Sequence, residues 1–141
     1  MLPSLIFQAL RPKRPGYPKE LKTLGDHIKA RRLDLGLLQR EVAPRLGVNT
    51  FTLGNWEKNQ CEPTVRHYPA IMNFLRYCPV QYPKTLGERI RLHRIHRGLS
   101  ISAFSNALGV DPRTIAKWEQ DRGSPIRKPL AYAQTIRRIR F

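Results

Sequence analysis

Apolar residues recur three and four positions apart in two stretches of the chain, residues 23–63 and 85–125. Leu24 and Ile28, for example, fall on one face of a helix at this spacing. The pattern predicts an all-α chain. Each stretch is expected to form three helices, and a tight turn joins the second helix to the third.

The two stretches are copies of one sequence. Displaced by 62 positions without a gap, they share fourteen identities in forty-one aligned positions. The match is clearest between residues 46–57 and 108–119, which both begin with Leu-Gly-Val and end with Trp-Glu. An internal repeat constrains the fold more strongly than local patterns do. We therefore expect two similar helical domains, and we call residues 23–63 the first copy and residues 85–125 the second copy.

Helix ends are marked in both copies by residues with known capping preferences. A threonine followed three residues later by an acid predicts a capping box at the start of the first helix, and a glycine stops that helix. An asparagine or aspartate is expected to cap the third helix, shortly after a glycine turn. These residues are Thr23, Asp26, Gly36, Gly47 and Asn49 in the first copy, and Thr85, Glu88, Gly98, Gly109 and Asp111 in the second.

The second helix differs between the copies. Ser100 is a good N-cap in the second copy, whereas Leu38 occupies that position in the first and cannot accept an amide hydrogen bond. Pro44 also lies inside the first copy's segment, where proline costs about 3 kcal/mol through clash and a lost hydrogen bond. We expect this helix to be kinked or shortened near Arg40 to Pro44.

The segments outside the copies complete the predicted organisation. An amphipathic run from His67 to Tyr77 predicts a helix that closes the first domain, and a basic equivalent within residues 127–141 would close the second. Three prolines in residues 11–20 favour an extended basic arm, which either follows a minor groove or is a solvated tail. The predicted divisions are an arm at 1–22, helix-turn-helix domains at 23–78 and 85–141, and a linker at 79–84.

Charge narrows the class of partner. The formal net charge is +16, from 26 Lys and Arg against 10 Asp and Glu, which favours nucleic acid first and an acidic membrane second. The copies themselves carry only +1 and +3, so most of the excess lies in the flanking segments. Balanced helical units with basic flanks suit a protein whose flanks contact phosphates while its helices contact bases. A chain of 141 residues also has no room for an enzyme-sized core beside two domains.

Other activities find little support in the residues. The apolar start, Met1 to Leu10, is too short to span a bilayer and lacks a signal-peptide pattern, so we expect a cytoplasmic protein without membrane association. Cys61 and Cys78 indicate two reduced thiols. His93 and His96 could bridge a metal, but we interpret them as exposed polar residues because no further ligand is placed beside them. We predict no cofactor, no metal and no enzymatic activity.

The order of glycines, arginine, glutamine, Leu-Gly-Val turn and Trp-Glu pair strongly resembles the Cro and phage-repressor class of helix-turn-helix proteins, often called Xre-type. The resemblance covers both copies, about 82 of 141 residues. It implies two tandem lambda-repressor-like domains, each placing its third helix in the major groove of double-stranded DNA. The whole chain resembles prokaryotic regulators that carry two such domains.

The resemblance also assigns roles to particular residues. It implies internal ion pairs between Arg32 and Glu57 and between Arg94 and Glu119. It places a phosphate-clamping glutamine at Gln39, where the second copy has Ile101 instead. Its DNA-binding positions fall on Asn49, Thr50, Phe51 and Asn55 in the first copy and on Pro112, Arg113 and Lys117 in the second.

Side-chain chemistry is compatible with these positions. Arg113 could bind guanine O6 and N7, and Asn55 could bind adenine N6 and N7. Phe51 would either touch a thymine methyl group or pack on the second helix of its own copy. Lys117 is suited to a phosphate as well as to a base.

Three functions follow from these patterns. The first is a sequence-specific DNA-binding transcriptional regulator, acting as a monomer on a two-part, non-palindromic site. The second is an antitoxin-like or other protein-interaction module in which one copy has degenerated. The third is a non-specific nucleic-acid binder that uses the basic flanks, which a steep salt dependence on all targets alike would reveal.

Overall fold

A computed structural model describes residues 15–80 and 82–123, and within them the chain is helical, with seven α-helices and no strand. The basic arm up to residue 14 and the closing segment predicted within 127–141 lie outside the described residues. The α-helices are α1 (Leu24–Asp34), α2 (Gln39–Val42), α3 (Thr50–Glu57), α4 (Tyr68–Leu75), α5 (Leu86–His96), α6 (Ile101–Leu108) and α7 (Pro112–Glu119). Short 3-10 helices span Ala43–Leu46 and Val65–His67.

The predicted helix caps are confirmed. Thr23 and Thr85 each form a complete capping box with the acid three residues later. Asn49 accepts a hydrogen bond from the backbone of Thr52, and Asp111 accepts one from the backbone of Arg113. Gly47 and Gly109 have φ angles of +69° and +65°, so the turn before each third helix uses the left-handed conformation that glycine tolerates best.

The second helix of the first copy is shortened, as Leu38 and Pro44 predict. It has four residues and continues as the 3-10 helix Ala43–Leu46, whereas α6 has eight residues. The backbone N–H of Leu38 donates to the Glu41 carboxylate at 2.7 Å, but Leu38 has no side-chain oxygen that could accept from the first turn of the helix. Proline has no backbone N–H and its ring crowds the preceding turn, which explains why regular α-helix ends just before Pro44.

The chain divides into two compact units. The first contains α1, α2 and α3, with the described residues up to Pro44 and Val48–Glu62. Its buried apolar side chains include Ile28 on α1, Val42 on α2, and Leu53 and Trp56 on α3.

The second unit contains Arg45–Gly47 and the described residues from Pro63 onward, and its core repeats that pattern. Ile90, Phe104, Ile115 and Trp118 form one buried cluster contributed by α5, α6 and α7. Partly buried apolar residues pack around this cluster: Leu86, Leu99, Ile101, Leu108 and Val110.

Helix α4 belongs to the second unit, although its position in the sequence suggested that it closes the first domain. It contacts α5, and its Ile71 and Leu75 are almost completely buried. A Cβ atom added to Gly98 would lie 3.0 Å from Pro69, so the end of α5 passes close to the start of α4. Apart from Arg45–Gly47, the division between units therefore falls after Glu62, and the domain bounds 23–78 and 85–141 stay a prediction.

Candidate nucleic-acid interface

A buried ion pair joins the first and third helices of the first copy. Arg32 donates from Nε to Oε1 of Glu57 at 2.6 Å and from its second terminal nitrogen to Oε2 at 2.7 Å. Its remaining terminal nitrogen donates to the carbonyl of Leu37 at 3.0 Å. The two side chains are only 11% and 2% exposed, so α1, the following loop and α3 are fixed together away from water.

The second copy forms the same arrangement. Arg94 donates to the two carboxylate oxygens of Glu119 at 2.6 and 3.0 Å and to the carbonyl of Leu99 at 2.9 Å. The two side chains are 9% and 8% exposed. The structure thus brings together both pairs that the sequence singled out, at equivalent places.

Gln39 gives the first copy one additional bond. Its side-chain amide donates to Oε2 of Glu57 at 2.9 Å and lies over Gly54. Ile101 occupies the equivalent position in the second copy and packs against the apolar cluster. In this structure Gln39 therefore supports Glu57, and its role as a phosphate clamp stays a prediction.

A second link between the first and third helices was not foreseen. Asn59 and Asp121, which follow α3 and α7, adopt left-handed φ angles of +58° and +55°. Asn59 bonds to Thr23 and Asp26, and Asp121 accepts from the backbone N–H of Gly87 at 2.9 Å. Asparagine and aspartate tolerate this conformation better than most residues, which is the signal that sequence inspection could have used.

The same link perturbs two carboxyl groups. Hydrogen bonds from the Thr85 side chain and the Gly87 backbone lower the pKa of Asp121. Burial alone would raise the pKa of Asp26, but hydrogen bonds from Asn59, Thr23 and Lys22 lower it below its ordinary value. Both carboxylates are therefore held in the charged form that accepts these hydrogen bonds.

Close helix packing completes what we call the buried frame of each copy: the arginine–glutamate pair and the contacts that join the first helix to the third. A Cβ atom on Gly25 would overlap the carbonyl oxygen of Trp56, and one on Gly87 would overlap that of Trp118. Glycine is thus required where the start of each first helix meets the end of the third.

The predicted DNA-binding positions lie on the outer side of the third helices. Thr50 and Phe51 on α3, and Pro112, Arg113 and Lys117 on α7, are exposed. Asn55 is half-buried, and the exposed Asn49 uses its side-chain oxygen to cap α3. Each copy therefore has a buried frame behind a third helix whose opposite side faces solvent.

One interpretation of the sequence is wrong. His93 is not an exposed polar residue: its ring is partly buried 6.1 Å from that of Phe104, and its Nε2 atom is buried without a hydrogen-bond partner among the described residues. Burial, with smaller contributions from Arg97 and His96, lowers the pKa of His93. His96 is exposed as expected, and the described ranges contain no group of three or more His, Cys, Asp or Glu that could hold a metal.

Comparison with known proteins identifies part of this arrangement. Residues 90–125 match a family model described as helix-turn-helix. This stretch, which makes up most of the second copy, is therefore similar to helix-turn-helix proteins. The match covers most of α5, all of α6 and α7 and therefore Arg113 and Lys117, and it supports DNA binding by this part of the chain. No curated protein and no solved structure matches the chain significantly. Among residues 15–80 and 82–123, no helix is long and apolar enough to cross a membrane.

Proposed function

We propose that this chain is a sequence-specific DNA-binding transcriptional regulator of the Xre type. It uses two tandem helix-turn-helix copies, with α3 and α7 each entering the major groove. The observation that carries the proposal is the repetition of one buried frame, Arg32 with Glu57 and Arg94 with Glu119, behind a solvent-facing third helix in both copies. The family match to residues 90–125 supports it for the second copy, and the net charge of +16 suits a polyanionic partner.

The predicted DNA-binding residues of the two third helices differ in chemistry, so the two halves of the DNA site should differ as well. The first copy offers Thr50, Phe51 and Asn55, and the second offers Pro112, Arg113 and Lys117. One chain would occupy a non-palindromic site as a monomer, because covalent linkage raises the effective concentration of the second copy once the first is bound. For a prokaryotic regulator this role places the protein in the cytoplasm with the DNA.

Selection from random duplex DNA at physiological salt, using the full chain, tests the proposal. We expect enrichment of a defined sequence, and Arg113→Ala should weaken binding to it by about 1–3 kcal/mol while relaxing one guanine position. The exposed Arg122, outside α7, gives a matched control: Arg122→Ala should leave the preferred sequence unchanged. A selection that enriches nothing, with affinity for all duplexes falling together as salt rises, would instead identify a non-specific binder.

A further inference from the structure

Phe51 presents a large apolar surface at a DNA-facing position. It is 76% exposed, whereas Leu53 and Trp56 on the same helix are 0% and 3% exposed. The sequence left open whether this ring packs on the second helix of its own copy, and the exposure shows that most of the ring is free. Single exposed apolar residues are common on protein surfaces, so exposure alone does not define a site.

The equivalent position in the second copy supplies the second observation. Phe51 is the second residue of α3, and Arg113 is the second residue of α7. The next DNA-facing residue comes four positions later in each helix, Asn55 in one and Lys117 in the other. Residues four apart lie on one helical face, so each copy presents one such pair side by side.

The two pairs differ in charge. The second copy presents two cations, whereas the first presents a phenyl ring and an amide, and α3 contains no Lys or Arg. A helix without a cation depends on apolar contacts and neutral hydrogen bonds for its base contacts. In the major groove the apolar feature of a base edge is the C5-methyl group of a pyrimidine, and asparagine is suited to adenine N6 and N7.

We propose that Phe51 contacts the C5-methyl group of a pyrimidine, with Asn55 on a nearby adenine, so that the first copy selects a methyl-bearing pyrimidine close to an A·T pair. The second copy selects guanine through Arg113. This inference rests on the proposed function and names the base chemistry that each half of the site requires. Thymine and 5-methylcytosine carry the same methyl group, and either base satisfies the contact made by Phe51.

Methyl-specific base replacement tests the inference with the full-length chain. Binding is measured on the selected duplex and on duplexes in which each thymine of the first half is replaced by deoxyuridine, which removes only the methyl group. At the sensitive position, cytosine and 5-methylcytosine are then compared. We expect wild-type affinity to fall about fourfold on deoxyuridine and to rise by a similar factor from cytosine to 5-methylcytosine, the value of one buried methyl group.

Three variants identify the residue responsible. Phe51→Ala should bind the thymine and deoxyuridine duplexes equally, and Phe51→Leu should keep part of the preference. Because position 51 is exposed, neither change disturbs the core. Arg113→Ala is the matched control in the other copy: it should lose guanine selectivity and keep the full thymine preference.

Each outcome is decisive. Wild-type affinity that ignores every methyl group in the first half, while Arg113→Ala still loses guanine selectivity, would overturn the inference and leave the proposed function standing. A methyl preference that persists in Phe51→Ala would also overturn it. Absence of any selected sequence would remove both the inference and the proposed function.

Discussion

The two copies share a buried frame and differ on the surface and in the second helix. Each has a capped first helix, an arginine–glutamate pair, a close-packed glycine and a buried tryptophan at equivalent positions. The outer residues of α3 are uncharged, whereas those of α7 include the cations Arg113 and Lys117. Helix α2 also has half the length of α6. The comparison teaches that the repeat retains what fixes the third helix and varies what that helix presents.

The largest expected difference concerns the glutamates of the two pairs. Glu57→Ala and Glu119→Ala each leave a buried arginine unpaired, which should cost about 3–5 kcal/mol of local stability. The cost should be greater for Glu57, because it is less exposed and also accepts from Gln39. Amide hydrogen exchange on the full chain measures each copy separately. Gln39→Ala, which keeps the ion pair, should cost about 1.5–3 kcal/mol, and equal costs for the two glutamate variants would show that the Gln39 bond contributes nothing.

Glycine substitutions probe the close approach of the first and third helices. Gly25→Ala and Gly87→Ala should each destabilise their copy by about 1–3 kcal/mol, because the added methyl group overlaps a backbone carbonyl. Gly54→Ala is the matched control, since its Cβ would stand 3.8 Å from Gln39 and the second copy has Ala116 there. That control should stabilise by roughly 0.5–1 kcal/mol, measured by urea unfolding. Stabilisation by Gly25→Ala would contradict the packing described for α1 and α3.

Exchanging the caps of α2 and α6 should narrow the difference between the second helices. Leu38 has the extended backbone of an N-cap but no side-chain hydrogen bond, whereas Ser100 accepts from the backbone of Ala103. Leu38→Ser should stabilise the first copy by about 1 kcal/mol, and Ser100→Leu should cost the second copy a similar amount. Hydrogen exchange in α2 and α6 provides the measurement. An unchanged α2 in Leu38→Ser would show that Pro44 alone limits that helix.

The smallest expected effect is a pH dependence of stability, which arises from a different histidine in each copy. Burial lowers the pKa of His93 in the second copy and of His27 in the first, where Asp26 partly opposes the shift. Each histidine has a lower pKa in the folded protein than in the unfolded chain. Stability is therefore highest above the ordinary histidine pKa of 6.5 and decreases as pH falls below that value. His93→Leu should remove this dependence from α5 and α6 only, as followed by exchange between pH 7.5 and 5.5. If the pH dependence of exchange in α5 and α6 persists in His93→Leu, it arises from other titratable groups.

Local sequence rules predicted where the helices begin and end better than they predicted which helices pack together. Capping chemistry located the starts of α1, α3, α5 and α7, and Pro44 anticipated the short α2, because these features depend on residues close in sequence. The periodicity of α4 indicated an amphipathic helix but carries no information on which core its apolar face joins. Its contact with α5 depends on side chains far along the chain.

The site was predicted in the same uneven way. The ion pairs and outer positions followed from a family resemblance, whereas the Gln39 bond and the links through Asn59 and Asp121 depend on tertiary placement. The exposure of Phe51 likewise needed the structure, because helical spacing alone allowed it to pack on α2.

The central claim is that one chain uses two unlike third helices on two unlike half-sites. Hydroxyl-radical footprinting of the full chain on its selected duplex, with the stoichiometry of the complex measured on the same DNA, tests it most directly. We predict one chain on a non-palindromic site, with one protected region lost in Arg113→Ala and the other weakened in Phe51→Ala. Two chains protecting a palindrome, with both halves responding equally to Arg113→Ala, would contradict it.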